Sequence, residues 1–317
     1  MQSPDQIEEF AGQRILALDP RTEKNVRVCA ACGSTNARRL GVKNELDICA
    51  CLECDTLYTP YSPWYSSSYF YVTHYEHEGL SVPPFVRTRL AEITSKFAQY
   101  RQTNRLLDIG CGAGLLLEAA RKNGWNCQGV DVAPKSVEHV RELGFEVFQG
   151  ELLEASLPSE HFDVISASEL LEHLPDPKLL VKEVARLLRP GGLFWATTPH
   201  AHGLAARVLG LKWRCIWPPE HLQLFSVRGV KRLLHDSGFR KVRVNTTGGN
   251  PIEIYSAINP RRPVPKARDQ HFDRVLTEYQ LNESLMKSPL RRALKQTVNG
   301  VLNFSRLGDS MKVFAVR

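Results

Sequence analysis

Arg105-Leu106-Leu107-Asp108-Ile109-Gly110-Cys111-Gly112-Ala113-Gly114 is the stretch from which the fold can be read. An apolar run ends in an acid, glycines recur at every second position, and a helical pattern follows over residues 115–122. That order is a strand, a tight turn and a helix start. Glycine removes the side chains that would keep a ligand off the backbone. The new helix offers unpaired N–H groups and a positive dipole end to a carboxylate or phosphate.

The alternation continues from Asn104 to Val244. Strand patterns fall near 105–109, 127–131, 145–149, 162–167, 192–198 and 239–245, with helical patterns near 115–122, 134–143, 177–188 and 227–235. Such a chain predicts a parallel sheet covered by helices on both faces, with ligands at the carboxyl ends of the strands. The glycine turn departs from the nicotinamide fingerprint, because Leu115 stands where the third glycine of G-x-G-x-x-G belongs. Asp131 closes the second strand, where a carboxylate takes both hydroxyls of a ribose. The ligand expected is a nucleoside rather than a dinucleotide.

The 317 residues suffice for one α/β domain with small appendages, and 43% apolar with 24% charged residues is ordinary for a globular chain. No apolar run reaches the length of a membrane span. Met1-Gln2-Ser3-Pro4-Asp5-Gln6 lacks a basic and apolar signal pattern, so the cytoplasm is the expected compartment. The net charge of +7 resides in residues 261–317, which hold twelve Lys/Arg against five Asp/Glu. Any argument for an anionic partner rests on that segment.

Cys29-Ala30-Ala31-Cys32 and Cys51-Leu52-Glu53-Cys54 are two C-x-x-C knuckles separated by 18 residues, the spacing of a four-cysteine zinc ribbon. Four thiolates fill a tetrahedral site, so the zinc would hold structure and do no chemistry. Cys49 lies close to the second knuckle as a competing ligand. An aromatic connector follows, with Tyr58, Tyr61, Trp64, Tyr65 and Tyr69-Phe70-Tyr71, either a substrate wall or packing for the ribbon. Phe85, Leu90, Ile93 and Phe97 then recur at helical spacing.

Asp108-x-Gly-x-Gly-x-Gly, Gly129-Val130-Asp131, Leu171-Glu172-His173-Leu174 and Leu188-Arg189-Pro190-Gly191-Gly192 together resemble the class I S-adenosylmethionine-dependent methyltransferases. The resemblance covers about residues 85–249 and returns at 310–316, which looks like that family's last, antiparallel strand. It implies a Rossmann-like sheet of seven strands. It also implies that Gly110, Gly112 and Gly114, with Asp108, seat the methionine part, and that Asp131 holds the ribose. Glu151 and Leu152 would flank the adenine. The family usually has an Asp one position along, so Glu151 either fills that role or is solvated. Ser168 would face the sulfonium.

Glu169-Leu170-Leu171-Glu172-His173 follows the fourth strand, and one helical turn there would put both carboxylates and the imidazole on one face. With His221 in Pro219-Glu220-His221-Leu222, the pattern is similar to ubiquinone-biosynthesis O-methyltransferases and to small-RNA 3′-end 2′-O-methyltransferases. In both, the motif holds a divalent ion that grips two adjacent hydroxyls. By that resemblance Glu169, Glu172, His173 and His221 would ligate Mg2+ or a similar ion, which lowers the acceptor hydroxyl's pKa. Leu-Glu-His-Leu also occurs in metal-free relatives. Without an ion, Glu172 and His173 would order the turn, and His221 would be the leading general base. Trp213 and Trp217 fit core anchors or a substrate wall, and His200 and His202 read as surface residues.

Past residue 249, Pro260-Arg261-Arg262-Pro263-Val264-Pro265-Lys266 reads as an exposed linker. Leu290, Leu294, Val298, Val301 and Leu302 recur at helical spacing, with Arg291, Arg292 and Lys295 on the polar side. That helix would fold over the domain with its basic face in solvent, or serve as a platform for nucleic acid or a membrane surface. The expected organisation is a ribbon over 1–60, a connector and lead-in helix over 61–100, a cofactor-binding core over 101–249, a basic helical insertion over 250–309 and a final strand over 310–317. The expected activity is methyl transfer from S-adenosylmethionine to a hydroxyl of a small molecule such as a sugar or phenol. Two alternatives are an RNA methyltransferase gripping RNA by the ribbon and basic segment, and a non-catalytic scaffold.

Overall fold

The computed structural model describes residues 25–62, 84–249, 251–258 and 288–317, with short strand pieces at 8–10 and 13–15. Trp64, Tyr65, Tyr69, Phe70 and Tyr71 of the connector, and the 260–266 linker, lie outside the described residues. The ribbon comprises β1 (Asn25–Val26), β2 (Ala37–Lys43), β3 (Leu46–Cys51), β4 (Leu57–Tyr58) and β5 (Tyr61–Ser62). Helix α1 (Pro84–Lys96) leads into β6 (Arg105–Ile109), α2 (Leu115–Lys122), β7 (Asn126–Asp131), α3 (Pro134–Glu142) and β8 (Glu146–Gln149). The second half runs β9 (Phe162–Ser168), α4 (Pro177–Leu187), β10 (Leu188–Pro199), α5 (Leu204–Leu209) and β11 (Gln223–Leu224). It ends with α6 (Val227–Asp236), β12 (Lys241–Thr247), α7 (Pro251–Ile258), α8 (Pro289–Phe304) and β13 (Ser310–Val316).

The central sheet has seven strands in the order β8-β7-β6-β9-β10-β13-β12. The first five run parallel, and β13 is antiparallel to both of its neighbours. Strand alternation splits the core into two layers. Leu106, Val164 and Trp195 pack with α2 and α3, whereas Leu107, Ile165 and Phe194 pack with α4 and α6. The α1 pattern ends on Phe97, which is fully buried under Trp195 at a centroid distance of 5.9 Å.

The ribbon is built into the domain. Its sheet has the order β11-β4-β3-β2, so the edge strand β11 comes from the segment just after His221. Ile48 and Leu57 of the ribbon share a cluster with Ala205, Leu209, Trp213 and Ile216. Trp213 is therefore a core anchor; Trp217 is half-buried beneath the Lys43 ammonium, 5.9 Å from its ring.

Two sequence expectations change here. His200 is a buried residue: its Nδ1 donates to the Gly308 carbonyl at 3.0 Å, tying the end of β10 to the start of β13. Burial, only partly offset by that bond, pushes its imidazole down to about 4. A neutral native histidine adds stability that is complete above pH 6.5 and is lost as pH falls through 4, on the order of 3 kcal/mol. The thermal midpoint should therefore drop over that window, and His200→Asn should flatten the drop. An unchanged slope in the variant would assign the acid sensitivity elsewhere.

Helix α8 keeps Arg291 exposed, as expected, but turns its apolar stripe outward as well. Asn299 and Asn303 accept from the Gly248 and Thr246 amides of β12 and its end, at 3.0 and 2.9 Å, and Lys295 is half-buried. Leu290, Leu294, Val301 and Phe304 face outward, with Phe304 93% exposed. Periodicity identifies which residues share a face but not which face docks. Among the described residues, no helix is long and apolar enough to cross a membrane.

Candidate active site

The glycine turn lies at the carboxyl ends of β6 and β7. Gly110, Gly112 and Gly114 have φ of +67°, +49° and +72°, the left-handed region that disfavours any side chain. Space is closed as well: a Cβ on Gly114 would lie 3.1 Å from Val140, and one on Gly110 would lie 3.3 Å from Leu170. Asp131 braces the turn, its two oxygens accepting from the Gly112 and Ala133 amides at 2.8 and 2.9 Å. Each carboxylate oxygen keeps a further lone pair.

Asp108 is buried beneath the turn and accepts from Ser166 Oγ at 2.7 Å. Burial pushes its carboxyl up to about 7, against the Ser166 bond and with a contribution from Asp131. The Asp131 carboxylate beside a bare backbone cradle, with Asp108 buried beneath it, fits S-adenosylmethionine, which carries an ammonium and a sulfonium beside a ribose diol. Glu151 is exposed and engaged in a reciprocal cap with Glu154, whose Oε2 accepts the Glu151 amide at 2.8 Å; Leu152 is buried.

Leu170, which limits Gly110, links this cradle to a second cluster. Ser168 ends β9 with its hydroxyl 2.8 Å from that of Thr197 on β10. Glu169 then takes φ +51°, with its amide donating to the Thr197 carbonyl at 2.9 Å. The expected helical turn is instead a single hydrogen-bonded turn, Leu170 to His173, because the left-handed Glu169 ends the strand without starting a helix.

Glu172 is fully buried. Its Oε2 accepts from Thr198 Oγ1 at 2.9 Å; its Oε1 is buried, receives no donor and lies 3.9 Å from His173 Nε2, and the carboxyl also meets that of Glu169. Burial, and then repulsion from Glu169, hold its carboxyl well above the usual range. His173 Nδ1 is 2.9 Å from the Glu220 carbonyl and His221 Nδ1 is 2.6 Å from the Cys215 carbonyl. A carbonyl only accepts, so both Nδ1 atoms carry the proton and both Nε2 atoms are the basic nitrogens. The rings meet edge to face at 4.7 Å, and ligand atoms of Glu172, His173 and His221 lie within 4.8 Å of one another. A buried carboxylate oxygen reached by no donor, beside two oriented imidazoles, suits a divalent cation. Glu169, the fourth residue of the motif, is exposed beside them and stands outside that group of three.

Sequence reasoning missed three contributors. Thr198 fixes Glu172, and buried Gln223 donates to the Leu171 and Leu174 carbonyls at 2.6 and 2.8 Å. Arg27 in turn donates to Gln223 Oε1 at 2.6 Å. The only signal in the chain was Thr197-Thr198 at a strand end.

At the other end of the ribbon, Cys29, Cys32, Cys51 and Cys54 bring their sulfurs within 4.8 Å of one another. The pairs Cys29–Cys54 and Cys32–Cys51 are each at 3.5 Å, near the roughly 3.8 Å separation of thiolates on a tetrahedral zinc. Cys49 stays outside the group.

Residues 84–244 match a family model described as "Methyltransferase domain". A ubiquinone biosynthesis O-methyltransferase of Idiomarina loihiensis is 30% identical over 163 residues, covering 47% of this chain and 67% of that protein. Its namesake from Ralstonia nicotianae is 37% identical over 109 residues, covering 32% of this chain and 45% of that protein. The matches thus span from under half to two thirds of these relatives' length. A solved S-adenosylmethionine-dependent methyltransferase of Archaeoglobus fulgidus is 18% identical with a TM-score of 0.47, covering 73% of this chain and 94% of its own.

Proposed function

The chain belongs to the methyltransferase-domain family, of the S-adenosylmethionine-dependent kind, and from that premise we propose that it methylates a hydroxyl of a small molecule with help from a divalent ion. The observation that carries the reading is Glu172 Oε1, buried and reached by no donor, grouped with ligand atoms of His173 and His221. That cluster lies one turn beyond Ser168.

The roles divide between the two halves of the pocket. Gly110, Gly112 and Gly114 admit the methionine part, Asp131 accepts from the ribose hydroxyls, and Leu152 offers an apolar wall for the adenine. Bound S-adenosylmethionine supplies an electrophilic methyl on a good leaving group, so the protein must align the acceptor oxygen and remove its proton. Ser168 would border the methyl. Glu172, His173 and His221 would hold the ion, with Glu169 exposed beside them, and the ion's charge would lower the pKa of a hydroxyl beside it. Transfer would form the acceptor oxygen–carbon bond and break the carbon–sulfur bond, leaving S-adenosylhomocysteine, while the hydroxyl proton would pass to base or solvent. The ribbon cysteines would hold zinc as a structural ion.

Metal analysis with electron paramagnetic resonance tests both ions together. The chain should retain about one zinc through brief EDTA treatment, then bind one Mn2+ that Glu172→Gln binds about a hundredfold more weakly. No Mn2+ binding, together with methyl transfer that EDTA leaves intact, would pass the proton-removing role to His221 alone.

A further inference from the structure

Residues 213–222, which carry His221, contain neither helix nor strand. Inside that stretch, His221 is held by its amide on the Trp217 carbonyl at 3.0 Å and its ring on the Cys215 carbonyl. Both flanks of the stretch are held from outside, by the ribbon. Ahead of His221, Lys43 Nζ donates to the Leu211 and Trp213 carbonyls at 2.8 and 2.9 Å, and Asn44 Nδ2 to the Pro218 carbonyl at 2.7 Å. Behind it, the Thr59 amide donates to the Leu222 carbonyl at 3.0 Å, and β4 pairs with β11. Arg27 closes this side, bonding the Leu222 and Pro175 carbonyls and Gln223 Oε1 at 3.3, 3.0 and 2.6 Å.

We propose that the ribbon is a clamp that sets His221 against Glu172 and His173, with Arg27, Lys43 and Asn44 as positioning residues. Arg27 stands two residues before the first knuckle cysteine, and Lys43 and Asn44 form the hairpin tip between the knuckles. Zinc, by fixing the knuckles, would fix both jaws. Burying part of a lysine to satisfy two loop carbonyls costs hydration, and a ribbon serving only as an outward docking module would gain nothing from that cost. The donors also go to main-chain carbonyls, so they constrain the path of the loop whatever its side chains.

The proposal deepens the functional reading above, and its test separates the two. In the full chain, Lys43→Met with Asn44→Gly removes the tip donors. Asn44 has φ +49°, which glycine adopts without strain. The double variant should keep its zinc and bind S-adenosylhomocysteine within twofold of the parent. Mn2+ affinity should fall at least tenfold, the nitrogen signals of the His221 ring should leave the Nδ1-protonated pattern, and amide exchange should rise across 213–222. Arg27→Met should do the same and Arg27→Lys should recover part of it. Unchanged His221 signals and Mn2+ affinity in zinc-loaded variants would overturn the clamp. If the parent binds no Mn2+, the metal reading fails, and the His221 ring signals alone decide the clamp.

Discussion

Replacing Asp131 by alanine is expected to weaken S-adenosylhomocysteine binding by more than tenfold, or at least about 1.4 kcal/mol. Two losses combine. The ribose hydroxyls lose a charged acceptor, worth roughly 1.5–3 kcal/mol per bond. The Gly112 and Ala133 amides lose theirs too, so the left-handed turn loses its brace. Asp131→Asn should fall between parent and alanine variant, because one amide oxygen can still accept from one of the two backbone donors. Calorimetric titration measures all three. An alanine variant that binds as tightly as the parent would remove Asp131 from the ribose site.

Glu172→Gln should separate function from stability. The amide keeps the shape and the Thr198 contact but cannot supply an anionic ligand, so divalent-ion affinity and methyl transfer should each fall about a hundredfold. Metal-free stability should move the other way. A buried carboxyl whose pKa is raised binds its proton more tightly in the native state than when unfolded. Its stabilising contribution is therefore complete below about pH 4.5 and is lost as pH rises. Removing the ionisable group should raise metal-free stability at neutral pH by an amount on the order of 1–3 kcal/mol, read as a higher thermal midpoint. A variant less stable than its parent at neutral pH would mean that Glu172 serves packing rather than a ligand.

The glycine turn and the strand ends were legible because they are local. Left-handed backbone requires glycine within a few residues, and an acid at a strand end follows from chain order alone, as with Asp108 and Asp131. The wedge of β13 followed instead from the resemblance of residues 310–316 to the family's last, antiparallel strand. What stayed hidden depends on residues far apart in the chain. Nothing near Arg27 announces that its guanidinium meets Gln223, and nothing near His200 announces that Gly308 covers it. Helix α8 shows the same limit differently, since its apolar stripe was plain and its orientation was set by two asparagines meeting β12 amides.

The insertion of β13 between β10 and β12 bears on how the chain is made. Thr197 pairs with Lys312, more than a hundred residues downstream, and the same lysine pairs with Asn245. A nascent chain that has reached residue 249 thus holds β10 and β12 on either side of a missing strand, each with an open edge. The sixty or so residues still to come take about 3–12 s at bacterial and eukaryotic translation speeds. During that interval the two edges are open to pairing with any extended segment. Codon choice across residues 250–309 therefore sets how long the unfinished sheet must be shielded, and chaperone demand during expression should track it.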